Sequence, residues 1–203
     1  MIDLGSLGGT CTVVASLNNW GQVVGQSNLA DEATFHPFLW DRGVLHDLGT
    51  LGGDNGRAEA INDAGVVAGW ADLPGSALNH AVLWDHGRKI DLGGLPGWPC
   101  TLPFSLNLAQ QVVGGSHDCS FDQFTAFLAE PGSPILDLNA YLPANSNLHL
   151  RNAVNINNLG QIAIIAEEPD GTHHAVLLTP CDNEPANSSG CLAAHAIPDA
   201  QAR

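Results

Sequence analysis

His117, Asp118 and Asp122 crowd into the stretch GSHDCSFDQF (115–124), beside Phe121 and Phe124 and downstream of Trp98 and Phe104 in GWPCTLPF (97–104). An imidazole oriented by a carboxylate can act as a general base, and an acidic loop can hold calcium as a Lewis acid. These three residues are therefore the candidate catalytic group of a hydrolase. The aromatic side chains offer a different chemistry. Flat apolar walls around a few hydrogen-bonding groups suit a sugar or a lactone, which makes Trp98, Phe104, Phe121 and Phe124 candidate ligand-binding residues. Plain local packing of an aromatic loop stands beside both readings.

A second candidate set is spread along the chain. His36, His80 and His174 share one slot in HPFLW, HAVLW and HAVLL, with Thr125 of TAFLA completing the series. In a closed ring, equal slots lie at equal radius, so three imidazoles converging on an axis could bind a transition metal such as zinc. The competing expectation is a histidine bonded within its own repeat, to the recurrent aspartate. Glu167 and Glu168 precede Pro-Asp-Gly and read as a solvated hairpin before they read as a cation site. No twelve-residue calcium loop, G-x-S-x-G elbow, H-E-x-x-H or C-x-x-C accompanies these residues.

The elements that must position these side chains come from a repeat. DLGTLGGDNGRAEAINDAGVVAG (47–69) stands again at 3–25 as DLGSLGGTCTVVASLNNWGQVVG, more loosely at 91–114, and faintly at 137–164. Asp3, Asp47, Asp91 and Asp137 mark a period of about 45 residues. The second copy offers four strands, PFLWD (37–41), VLHDLG (44–49), RAEAIN (57–62) and VVAGWA (66–71), and four strands in that length make one propeller blade. Asn18, Asn62, Asn107 and Asn157 recur as turn formers, and Trp40 and Trp84 as packing between blades. Glycine interrupts every window long enough for a helix.

The expected fold is thus all-β, a propeller of four four-stranded repeats over 1–180 with units starting near 3, 47, 91 and 137, followed by a polar tail, 181–203. The strand at 174–179 has no unit of its own. Pairing beside 3–7 would complete the first blade and seal the ring, leaving a monomer; an unsealed array would self-associate through its edges.

Composition narrows the function. With 21 acidic and 6 basic residues among 203, the formal charge is −15, and the cations do not cluster, so nucleic acid is excluded as a partner. No apolar run spans a membrane, and MIDLGSLGG has neither the charged nor the apolar region of a signal peptide. Of five cysteines, Cys181 and Cys191 flank a polar loop and Cys100 and Cys119 share the third unit, which suggests two disulfides and leaves Cys11 free; reduced buried thiols are the alternative.

H-A-F-L-W, D-L-G-x-L-G-G and I-N-x-x-G-x-V-V-G together resemble the extracellular HAF repeat family over about residues 3–179. The resemblance implies a propeller-like fold and an extracellular setting, as in bacterial secreted and surface proteins. It says little about activity. Two functional expectations result: a non-catalytic recognition module for carbohydrate or protein at the third-unit loops, or a metal-dependent hydrolase, with calcium or zinc, acting on lactones or esters as small-molecule substrates.

Overall fold

A computed structural model describes residues 1–75 and 77–180, together with the backbone of the short strand at 191–192. Apart from one 3₁₀ turn, Leu138–Tyr141, its regular structure is strand, arranged as three antiparallel four-stranded meanders and a fourth sheet of three antiparallel strands with one short parallel addition. The first sheet holds β1 (Gly8–Leu17), β2 (Val23–Leu29), β3 (Phe35–Asp41) and β4 (Val44–Asp47). The second holds β5 (Gly56–Ile61), β6 (Val67–Asp72), β7 (Asn79–Asp85) and β8 (Arg88–Gly93). The third holds β9 (Cys100–Leu106), β10 (Val112–His117), β11 (Phe124–Ala129) and β12 (Leu136–Asp137). The fourth holds β13 (His149–Ile156), β14 (Ile162–Glu167), β15 (His173–Pro180) and β16 (Cys191–Leu192). None of the described helices is long and apolar enough to cross a membrane.

The repeat therefore has a different frame from the one expected. Asp47, Asp91 and Asp137 each sit on an outer strand, opposite Phe38, Val82 and Phe127, and the chain then crosses to the next sheet. The first sheet is complete within residues 8–47, and residues 3–7 form no strand. The expected pairing of 174–179 with 3–7 is accordingly absent from the described strand pairings: β15 lies against β14 along its length and against β16 only at Thr179 and Pro180. The tail and the expected Cys181–Cys191 bridge fall outside the described residues.

Cores form between successive sheets rather than within one. Val24 and Leu39 of the first sheet pack with Ala58, Val67 and Trp84 of the second. Leu83 meets Val112 and Phe127 between the second and third, and Val113 and Leu128 meet Leu150 and Ile164 between the third and fourth. Each sheet is thus apolar on both faces where it has two neighbours, so its central strands read as continuous apolar runs.

One link joins all four units. The side-chain Oδ1 of Asn18, Asn62, Asn107 and Asn157 accepts backbone N–H groups two and four residues on, closing the turn between the first two strands of each sheet. The same amide then reaches forward: Asn18 Nδ2 donates to Asn62 O at 3.1 Å, Asn62 to Asn107 O at 2.9 Å, and Asn107 to Asn157 O at 3.1 Å. An amide bonded both to its own turn and to the next sheet fixes the spacing of neighbouring sheets as well as the turn itself.

Candidate functional site

A cleft of about 640 Å³ opens between the first two sheets. Two hairpin turns edge it. Arg42-Gly43 and His86-Gly87 have positive φ at both positions (48° and 89°, 48° and 86°), the geometry that lets a two-residue turn follow the twist of its strands. Arg42, Lys89 and His86 line the cleft together with Asp41, Asp47 and Asp63. Trp84 is buried at its wall, with Nε1 donating to Gly49 O at 3.1 Å. Lys89 Nζ is tied to Thr50 O at 2.7 Å.

Trp20 stands over this cleft 75% exposed. Its ring does not swing freely, since Nε1 donates to Asp63 O at 2.8 Å. The Asp63 carboxylate accepts from Asn19 N at 3.0 Å and Asn19 Nδ2 at 2.7 Å, and those bonds hold it below the ordinary carboxylate range. The result is an exposed indole face fixed beside an ionised carboxylate. Trp20 breaks the repeat, occupying the slot of Ala64, Ala109 and Leu159. That departure is its signal in the sequence, a fainter one than the rebuilt loop of the third unit.

The expected third-unit group is only partly assembled. His117 is fully buried on β10, under Phe121 at 4.3 Å and Phe124 at 5.1 Å between ring centres. Its Nδ1 accepts from Cys119 N at 3.1 Å, which puts the proton on a buried Nε2 that has no partner. Asp118 turns away to accept from Ser120 N and Oγ, and neither Asp118 nor Asp122 is bonded to the imidazole. As placed, the imidazole is sealed from solvent and oriented by neither carboxylate. Cys100 and Cys119 form the expected disulfide, which pins this loop to the start of β9, and Cys11 is free and exposed.

Phe121 and Phe124 do come together, their centres 6.4 Å apart, while Trp98 packs against the core between the second and third sheets. Phe104 is on β9, part exposed, and shares no ring contact with the other three. Asp122 and Phe124 instead edge a smaller cleft of about 430 Å³ against the fourth sheet, with His149, Arg151, Glu167 and Glu168. Arg151 and Glu167 close on each other there at 2.8 Å, so much of its charge is already paired.

The three histidines expected to share a metal do not meet. His36 Nδ1 lies 2.9 Å from Asp47, and His80 Nδ1 lies 2.8 Å from Asp91, each across its own outer strand pair. His174 turns Nε2 to Glu168 at 2.9 Å. Among the described residues, no group of three or more His, Cys, Asp or Glu side chains could hold a metal ion.

Burial lowers the affinity of His117 for a proton, with the Asp118 charge opposing. The folded protein therefore resists protonation at this ring, whereas the unfolded chain takes up the proton as pH falls through the ordinary value of 6.5. The His117 contribution is neutral above that pH and destabilising below it. Denaturant midpoints measured from pH 8 to 5 should fall less steeply in His117→Phe than in the native protein; parallel curves would contradict the burial.

No family model matches the sequence, and no curated protein matches it.

Proposed function

We propose that the protein is a propeller-type recognition module that binds carbohydrate in the cleft between its first two sheets. The fixed, exposed indole of Trp20 beside the Asp63 carboxylate carries this reading. A sugar ring places its C–H face on an aromatic plane and its hydroxyls on charged acceptors, and an indole already held in position loses little entropy when it does so. The formal charge of −15 favours neutral or amino sugars over polyanionic glycans. An extracellular location is supported by the Cys100–Cys119 disulfide and by the resemblance to HAF repeats. The four sheets, packed in series and linked by one asparagine slot, are the blades.

A glycan array followed by affinity measurements tests the reading. Trp20→Ala should lower retention at least about tenfold, the scale of one lost anchor at about 1.4 kcal/mol, and leave the melting temperature unchanged. Retention that survives Trp20→Ala but is lost in Phe121→Ala would move the site to the third-unit cleft. Absence of retention for every neutral and amino sugar would end the carbohydrate reading.

A further inference from the structure

In three sheets, the third strand carries a polar side chain that bonds the aspartate of the outer strand: His36 to Asp47, His80 to Asp91, and Thr125 Oγ1 to Asp137 at 3.2 Å. Each of those aspartates also accepts the N–H two residues on, from Gly49, Gly93 and Asn139 at 2.7 to 2.8 Å. Asp3 has this second bond, from Gly5 N at 3.0 Å, and lacks the first. His174 has the complementary deficit. It occupies the slot of His36 and His80, yet among the described residues β15 has no aspartate-bearing strand beside it, and its bond to Glu168 uses Nε2 rather than Nδ1.

The deficits extend over two whole faces. Val14 and Leu17 of β1 are 59% and 69% exposed, although their counterparts Ala58 and Ile61 are buried by the first sheet at 0% and 8%. At the other end Ile165 and Leu177 are exposed, as is Ile2 beside Asp3. The asparagine chain is open at the same two places. Asn62 O, Asn107 O and Asn157 O each accept both a turn N–H and the preceding asparagine amide. Among the described residues, Asn18 O accepts from Gly21 N alone, and Asn157 Nδ2 bonds within its own turn to Gln161.

The contact made three times between successive sheets thus leaves one half exposed on the first sheet and one on the fourth among the described residues, and the halves are complementary. We propose that a second copy of this chain docks head to tail, its first sheet packing on the fourth sheet of its partner and its Met1–Asp3 segment adding as an outer strand to β15. By the register of β3 with β4, where Phe38 faces Asp47 and Leu39 faces His46, Asp3 falls opposite Val176 and Ile2 opposite Leu177. Asp3 then meets His174 Nδ1, and Asn157 Nδ2 meets Asn18 O. The contact is heterologous, so it propagates until a ring closes. It also pairs the stretch of β15 before Thr179 and Pro180, the two residues that β16 takes up, which has no partner on that side among the described residues. The ligand cleft between the first two sheets is untouched, so this inference stands or falls separately from the carbohydrate reading.

Native mass spectrometry and sedimentation velocity test it, using the native chain, Val14→Glu, which blocks only the first-sheet face, and Leu177→Glu, which blocks only the fourth. Both sites are exposed, so each variant should fold and melt as the native protein does. The native chain should assemble with concentration, each variant alone should stay monomeric, and an equimolar mixture should form a one-to-one pair through the two intact faces, and nothing larger. A native chain that stays monomeric at about 100 μM, through closure of its own ends or otherwise, overturns the proposal. So does a mixture that fails to pair.

Discussion

Gly69→Ala should cost about 2 to 4 kcal/mol, one of the largest effects of any single methyl group in the molecule. The register of β5 on β6 slips between Ala58 and Ala60, a bulge that brings the Arg57 carbonyl over Gly69. A Cβ there would fall on Arg57 O and lie 2.8 Å from Ala58 Cα, and both are backbone. Relief requires β5 to lift off β6, which would expose Ala58 and Val67 in the core facing the first sheet. Against a total stability of about 5 to 15 kcal/mol, the loss should lower the melting temperature by roughly 10 °C in circular dichroism scans. Gly87→Asn is the control: its φ of 86° lies where asparagine is tolerated, and nothing stands within 4 Å. Equal melting of the two variants would refute the steric account.

Reduction of Cys100–Cys119 should be nearly as costly. The bridge closes a loop with a sequence separation of 19, for which chain entropy alone gives about 3 kcal/mol. The loop holds further stored cost, since Cys119 and Phe121 both adopt positive φ without being glycine (73° and 66°). Released from the bridge, the segment 118–123 can relax, and the Phe121 ring that covers His117 leaves with it. Calorimetry of the Cys100→Ser/Cys119→Ser double variant should show the lower transition, and hydrogen exchange should rise across β10 and the start of β11. Unaltered exchange there would mean that the aromatic packing holds the loop by itself.

Much of the architecture was written in the spacing. The strands expected at 37–41, 44–49, 57–62 and 66–71 lie within one or two residues of β3, β4, β5 and β6, because a repeat that must solve one packing problem four times leaves one pattern four times. The asparagine turns and the histidine–aspartate pairs within a sheet were legible for the same reason. The frame was not. Asp47 looks like the opening of a unit, but it ends an outer strand, and periodicity fixes a period without fixing a phase. The candidate site was legible only in part. His117 and Phe121 stood out by departing from the repeat, yet departure does not distinguish a residue turned inward from one turned outward, and His117 lies inward at the end of a fully buried β10, under Phe121 and Phe124. Trp20 departs by a single residue in an otherwise regular turn, which is a fainter mark than a rebuilt loop.

The asparagine amides have a bearing on how such a chain changes length over evolutionary time. Donor and acceptor occupy the same slot in every unit, so the seam left by losing or duplicating one whole period is chemically identical to the seam it replaces. Asn18 would find the carbonyl of Asn107 where it now finds that of Asn62, with the same turn behind it. Unequal exchange between copies thereby leaves the asparagine link intact, and selection falls instead on the residues that differ from their counterparts, such as Trp20, the loop held by Cys119 and the side chains that meet between sheets.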